Sequence, residues 1–222
     1  MALPGTEQVL PERRPLRRDA AQNREQLLDA AAKVFATQGL NASVEEIARV
    51  AGVGMGTLYR RFPTKEALVD ELVRQQLSDF IEAATAAELL PGGVGLEVFL
   101  WRVGELLAAR CGCFARLWKG ANTESLVEEA RFHIHQLLAD SQRHGRIRPD
   151  AVVSDISLVI WSLMGVISTA QTAAPQAWRR ALELLLLALR SSEGPLLEAA
   201  PTPQEMSEIV QQKASPPTRP TG

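Results

Sequence analysis

Cysteine is nearly absent from this chain: among 222 residues there are two, Cys111 and Cys113, too few and too close together for a disulfide framework. Aromatic residues make up only 5 % and include a single tyrosine. No segment alternates apolar and polar residues for long enough to read as a strand, so a β-sandwich or barrel is excluded. The opening MALPGTEQVLPERRP lacks an apolar run resembling a signal peptide, and the expected compartment is the cytoplasm. A charge-free stretch from Ile156 to Trp178 is interrupted by Ser157, Ser162, Ser168, Thr169, Gln171, Thr172 and Pro175. A spanning helix needs about 20 mostly apolar residues, so burial in protein is expected and no membrane partner.

Catalytic patterns are missing too. There is no Ser/His/Asp set, phosphate loop or HExxH helix, so the expectation is that the protein is not an enzyme and uses no cofactor. Cys111, Cys113, His133 and His135 invite a metal reading, but two histidines two residues apart on a helix point about 200° from one another and cannot easily converge on one ion. No metal is expected, and the cysteines are read as loop or core residues.

What the chain has is 46 % hydrophobic content, dominated by Leu, Ala, Glu and Arg, a mixture that favours helix. Its net charge of −2 is unevenly spread. From Glu12 to Lys65 ten Lys/Arg face six Asp/Glu, whereas from Glu66 onward fourteen face nineteen. A basic front segment able to touch a polyanion thus precedes an acidic remainder.

Helical spacing recurs along the chain. Leu27, Leu28, Ala31, Val34 and Phe35 form one stripe from Arg24 to Thr37, with Gly39 as a C-cap. Ser43 and Glu46 have capping-box spacing, opening a helix at Val44 that buries Val44, Ile47 and Ala48 and ends near Ala51 and Gly52. A short helix follows from Gly54 to Arg61, stopped by Phe62 and Pro63. Thr64 caps a longer helix, with Leu68, Leu72, Leu77, Phe80 and Ile81 inward, that reaches Leu89. Further helices are expected at Val94 to Arg110, Phe114 to Lys119, Glu124 to Arg143, Asp150 to Thr172 and Gln176 to Arg190. The fold class is all-α: a flexible basic N-terminal tail at 1–18, a three-helix helix-turn-helix domain at 19–80, a larger helical domain at 81–192 and a flexible Pro-rich tail at 193–222.

Two helices joined by a tight glycine-containing turn, the second short and cationic, match the helix-turn-helix arrangement that lays its second helix in the DNA major groove. Gly54 and Gly56 each cost about 1 kcal/mol inside a helix relative to Ala, yet their missing side chains allow close approach to a phosphate or a base edge. Leu58 and Phe62 share one face, leaving Gly56, Thr57 and Arg60 opposite and Tyr59 on a flank. A plain helical hairpin with Arg60 and Arg61 on a solvated surface is the alternative. The arm containing Arg13, Arg14, Arg17 and Arg18 suits a minor groove or a merely solvated tail.

From Arg24 to Leu68 the chain closely resembles the N-terminal DNA-binding domain of the TetR family of transcriptional regulators. The matching elements are Leu28, Ala31, Phe35, Gly39, Ser43, Ile47, Ala48, Ala51-Gly52-Val53, Gly56-Thr57-Leu58-Tyr59, Phe62 and Lys65-Glu66-Ala67-Leu68. The resemblance implies phosphate contacts from Tyr59, Thr57, Lys65 and Ser43, which position without specifying, and base reading by Met55, Gly56 and Arg60. Gly54 and Met55 depart from it, since relatives often carry a small hydroxyl residue and then a cation there. It further implies a ligand-responsive regulator, a repressor, that binds a palindromic double-stranded operator as a homodimer and is released by a small-molecule effector.

The later helices allow both a dimer and a cavity. Val152, Ile156, Val159, Ile160, Leu163 and Ile167, with Leu182 and Leu184 to Leu187 and Leu189, give two final helices more apolar surface than one small domain needs, suiting a four-helix interface between subunits. Phe99, Trp101, Phe114, Trp118, Phe132, His133, His135 and Trp161 are singly ordinary core residues, but together suit a largely apolar effector with a few polar anchors. A small helical enzyme using His133, His135 or a cysteine, and a helical interaction module without DNA binding, remain the alternatives.

Overall fold

The computed structural model describes residues 14–39, 41–109, 123–170, 173–190 and 194–214, with side chains from residue 24 to residue 209. Among the described residues there are helices and no strand: α1 (Arg14–Gln38), α2 (Val44–Ala51), α3 (Met55–Arg61), α4 (Lys65–Glu88), α5 (Gly95–Ala109), α6 (Glu124–Arg143), α7 (Val153–Ala170), α8 (Ala177–Arg190) and α9 (Pro203–Ala214). Cys111, Cys113, Phe114, Trp118 and the helix expected around the last two lie outside the described residues.

The first core forms where the helical stripes predict it. Leu27, Ala31, Phe35, Ile47, Ala48, Leu58, Phe62 and Leu68 are all buried in one cluster joining α1, α2, α3 and the start of α4. α1 stops at Gly39 (φ +71°), whose N–H donates to the Phe35 carbonyl at 2.9 Å. It begins ten residues earlier than the stripe suggests, so residues 14–18, expected to be tail, are helical. Pro15 does not prevent this, because the first turn has no intrahelical N–H bond to lose. An ion pair between Arg24 and Glu71 ties α1 to α4.

The second core fills the space between α4, α5, α6, α7 and α8, with Phe99, Leu100, Leu137, Ile156, Leu163, Trp178 and Leu182 buried together. α4 serves both cores. Its Leu68 and Leu72 belong to the first, its Phe80 and Ala84 to the second, and Val73 and Leu77 between them pack on Leu126 and Val127 of α6. The expected division at residue 80 therefore falls inside a continuous helix. α7 is the one described helix long and apolar enough to cross a membrane by length and composition. Here its Ile156, Val159, Ile160, Leu163, Met164 and Ile167 are buried against protein.

The C-terminal segment departs from the expected flexible tail. Residues 203–214 form α9, and Met206 on it is buried. Thr202 is the reason the helix starts: its hydroxyl accepts from the Glu205 N–H at 3.2 Å while the Glu205 carboxylate accepts from the Thr202 N–H at 2.7 Å, a capping box followed by proline at the first helical position.

A clasp holds the approach to this helix. The half-exposed Asp150 carboxylate accepts from Arg148 Nε at 2.5 Å and Nη2 at 2.8 Å, and from the Leu196 N–H at 3.2 Å, while Arg148 Nη2 also donates to the Gly194 carbonyl at 2.7 Å. Donation from Arg148, reinforced by the Leu196 amide, holds the Asp150 carboxyl well below the ordinary carboxylate range. A depressed folded-state value contributes stability that is present above the unfolded value, near pH 4, and is lost as pH falls toward the folded one. Acid titration of the parent and Asp150→Asn should therefore show their difference in stability shrinking below about pH 4; a gap that stays constant down to acid pH contradicts the assignment.

Candidate functional site

The turn between α2 and α3 is built by its caps. Ser43 Oγ accepts from the Glu46 N–H at 3.3 Å, as the spacing predicts. The reciprocal half of the box is replaced, because the Glu46 carboxylate instead takes Arg49 Nε at 2.8 Å and Nη2 at 2.7 Å, a two-point ion pair one turn along the same helix. Glu46 is accordingly shifted below its usual range by the Arg49 hydrogen bonds. At the other end Gly52 has φ +67°, its N–H reaching the Arg49 carbonyl at 3.2 Å while the Val53 N–H reaches Ala48 O at 3.0 Å. This left-handed cap needs glycine, and it reverses the chain into α3.

α3 is fixed from beneath by buried Leu58 and by Phe62 just past its end. Its outer side is open. A Cβ added at Gly54 or Gly56 would meet nothing within 4 Å, Tyr59 is 46 % exposed, and Arg60 and Arg61 are exposed. Gly54 differs from expectation: it is the extended N-cap (φ −73°, ψ 150°) and not a helical residue, so only Gly56 bears the helix-interior cost. Met55 and Thr57 are half-buried, and Met55 rests partly against the first core. Ser43 is exposed beside this face in sequence, at the start of α2. Lys65 opens α4 with its ammonium 5.8 Å from the Phe35 ring centroid, a cation–π contact that sequence spacing does not reveal.

Residues 27–72 match the family model described as bacterial regulatory proteins, tetR family. An HTH-type transcriptional regulator of Staphylococcus aureus (strain bovine RF122 / ET3-1) is 40 % identical over 67 residues, 30 % of this chain and 36 % of that protein; the match spans about a third of the curated relative and speaks for this end alone. Two solved structures extend it. A TetR transcriptional regulator from Streptomyces coelicolor is 30 % identical, with 76 % of this chain and 99 % of that chain covered and a TM-score of 0.57. A TetR transcription regulatory protein from Mycobacterium vanbaalenii is also 30 % identical, with 80 % and 100 % covered and a TM-score of 0.57. The chain belongs to the TetR family of transcriptional regulators. It carries that family's helix-turn-helix DNA-binding domain, and its relatives are regulators, not enzymes.

In this TetR regulator the edge of the second core leaves a partly open cavity of about 80 Å³ between α4, α6, α7 and α9, lined by Leu77, Phe80, Ile134, Ile160, Trp161 and Met206 among others. Beside it lies an open trough of about 560 Å³ with Phe132, His135 and Ser154 on its walls. Arg131, Ser157 and Met206 line both.

The aromatic residues expected to gather at one ligand site divide. Trp161 lines the small cavity, whereas Phe132 and His135 line the trough. Phe99 is buried in the core, and the Trp101 ring lies tilted against Trp178 of α8 at 5.8 Å between centroids; neither lines the cavity or the trough. His133 is drawn away from these spaces to Glu88 of α4, Nδ1 to Oε1 2.8 Å. Leu77, Phe80 and Met206 were not among the sequence candidates. The helical stripe marks the first two as inward, but apolarity alone does not say which inward residues border a void.

Proposed function

We propose that this regulator binds a two-fold symmetric DNA operator as a homodimer, represses transcription there in the cytoplasm, and is released by a largely apolar small molecule. The observation that carries the reading is the open outer face of α3, held on buried Leu58 and Phe62 and presenting Gly56, Tyr59 and Arg60 to solvent. Thr57, Tyr59, Lys65 and Ser43 hold phosphates; the Ser43 hydroxyl accepts within its cap and keeps its hydrogen for donation. Met55, Gly56 and Arg60 face base edges, with Arg60 suited to a two-point contact with guanine.

The dimer forms through α7 and α8. These were expected to be the last two helices; α9 follows them. Leu184 at 53 % and Leu187 at 58 % exposure, with Leu158 on α7, leave an outward apolar face that a four-helix interface would cover. Two copies then hold their recognition helices about 34 Å apart or a multiple of it.

The cavity takes the effector. Its present 80 Å³ is small against the roughly 300–1,000 Å³ of ordinary ligand sites, so a bound molecule widens it. Leu77 and Val127 line the cavity and also pack α4 on α6. Widening therefore moves α4, whose first turns belong to the DNA-binding core, and a differential preference of about 1–3 kcal/mol between two geometries is typical of such coupling.

Salt titration of duplex binding tests the central step. Affinity should fall steeply with salt, and Lys65→Gln, present twice per dimer, should flatten the slope by about 2. Affinity independent of salt would contradict DNA binding through this face.

A further inference from the structure

At about 80 Å³ the partly open cavity is too small to hold an effector unless one of its walls yields, and its walls are not equally fixed. Leu77, Phe80, Ile134 and Ile160 sit on α4, α6 and α7, whose packing makes the body of the domain. Met206 alone comes from outside that body. Of the side chains described on α9 it is the only buried one, at 5 % exposure, and it does not join the main apolar cluster. The segment leading to it is exposed from residue 194 to 199, with Leu197 at 95 %. One end of this strap is held by the Arg148 and Asp150 clasp, and at the other Met206 is the one fully inserted side chain among those described, with Pro201, Ser207 and Ile209 only partly covered.

We propose that Met206 is an intramolecular plug that occupies the effector's own place, so that the effector and the C-terminal strap compete for one site. Met206 lines both the 80 Å³ cavity and the 560 Å³ trough, and lifting its side chain joins the two spaces. The ligand class follows from what remains: an apolar group fills the volume Met206 leaves, and its head lies beside Arg131, which lines both spaces and is paired with Glu128 at 2.9 Å, so a neutral molecule fits better than a charged one. Methionine suits this role because its unbranched chain fills an irregular gap without a fixed shape. The clasp keeps the displaced strap nearby, so the plug returns at high effective concentration when the ligand leaves. Effector affinity is thereby lowered by the fraction of molecules whose plug is out.

This rests on the reading of the cavity as the effector site, and the test separates the two. The neutral apolar fluorophore N-phenyl-1-naphthylamine is titrated into the full chain and its variants. Met206→Ala should bind about tenfold more tightly than the parent, as for a plug docked about nine-tenths of the time, and Met206→Leu should bind like the parent. Ser157→Phe, which fills the junction, should abolish the gain in the Met206→Ala background. Glu205→Ala loosens the α9 cap without touching the cavity and should raise affinity about threefold by the same population shift, which keeps the test decisive if Met206→Ala folds poorly. Equal affinity of the parent, Met206→Ala and Glu205→Ala, all lost with Ser157→Phe, would overturn the plug while leaving the cavity a ligand site. No saturable binding to any of them would overturn both.

Discussion

Arg60→Ala should weaken binding to the selected operator by about 2–6 kcal/mol while leaving binding to unrelated duplex nearly unchanged apart from the loss of one charge per half-site. A good two-point arginine contact is worth about 1–3 kcal/mol of discrimination, and the proposed two-fold symmetry counts every substitution twice. Arg60 lies on the exposed side of α3, opposite Leu58, which anchors the helix, so truncating it leaves the fold intact. Tyr59→Ala supplies the contrast. It removes the proposed phosphate contact and should weaken all duplexes by a similar factor, with no base pair singled out. Electrophoretic mobility shifts on the operator and on single-base variants check both. The assignment fails if Arg60→Ala keeps the parent's preference at every position.

Trp178→Ala should destabilise the protein by about 3–5 kcal/mol, within the range for deleting a buried aromatic side chain and a large part of the 5–15 kcal/mol of a typical domain. Trp178 is the largest fully buried side chain among the described residues, at 2 % exposure. It fastens α8 to α5: its ring lies tilted against Trp101, 5.8 Å between centroids, and sits where a Cβ on Gly104 would come within 2.2 Å of it. The Arg179 guanidinium covers the ring at 4.7 Å. Because the dimer is proposed to use the other side of α8, the loss should appear as lower folding stability and a more readily dissociated dimer. Urea denaturation measures it, and a change under about 1 kcal/mol would contradict the packing account.

The DNA-binding end was legible because each of its positions has a single physical task that few residue types can perform. Ser43 caps, Gly52 turns left-handed, and Leu58 and Phe62 bury a helix too short to stand alone; each leaves its mark at fixed spacing. The failures have equally local causes. Glu46 has two partners within reach, and the sequence pattern names Ser43 where a cationic Arg49 wins. The start of α1 carries no apolar stripe, so periodicity gave no reason to extend the helix to Arg14. α9 was hidden by prolines on both sides and by having one buried residue among its described side chains, although Thr202, Pro203 and Glu205 spell a helix start.

The second core was legible only as apolar helices. Phe99 and Trp161 look alike in sequence, yet one fills the core and the other borders a cavity. Periodicity states which face of a helix turns inward; whether the facing helix leaves a gap depends on pairs of side chains distant in the chain. The same limit hides Met206, whose burial requires the strap to cross back over α6 and α7.

Selection of bound duplexes from a random pool tests the account most directly. Enrichment of a two-fold symmetric site, its half-sites centred about one or more helical turns of ~34 Å apart, with at least one symmetric base pair whose preference relaxes in Arg60→Ala, is the outcome expected. A pool that yields no symmetric site after repeated rounds, from protein that is folded and dimeric, would contradict it.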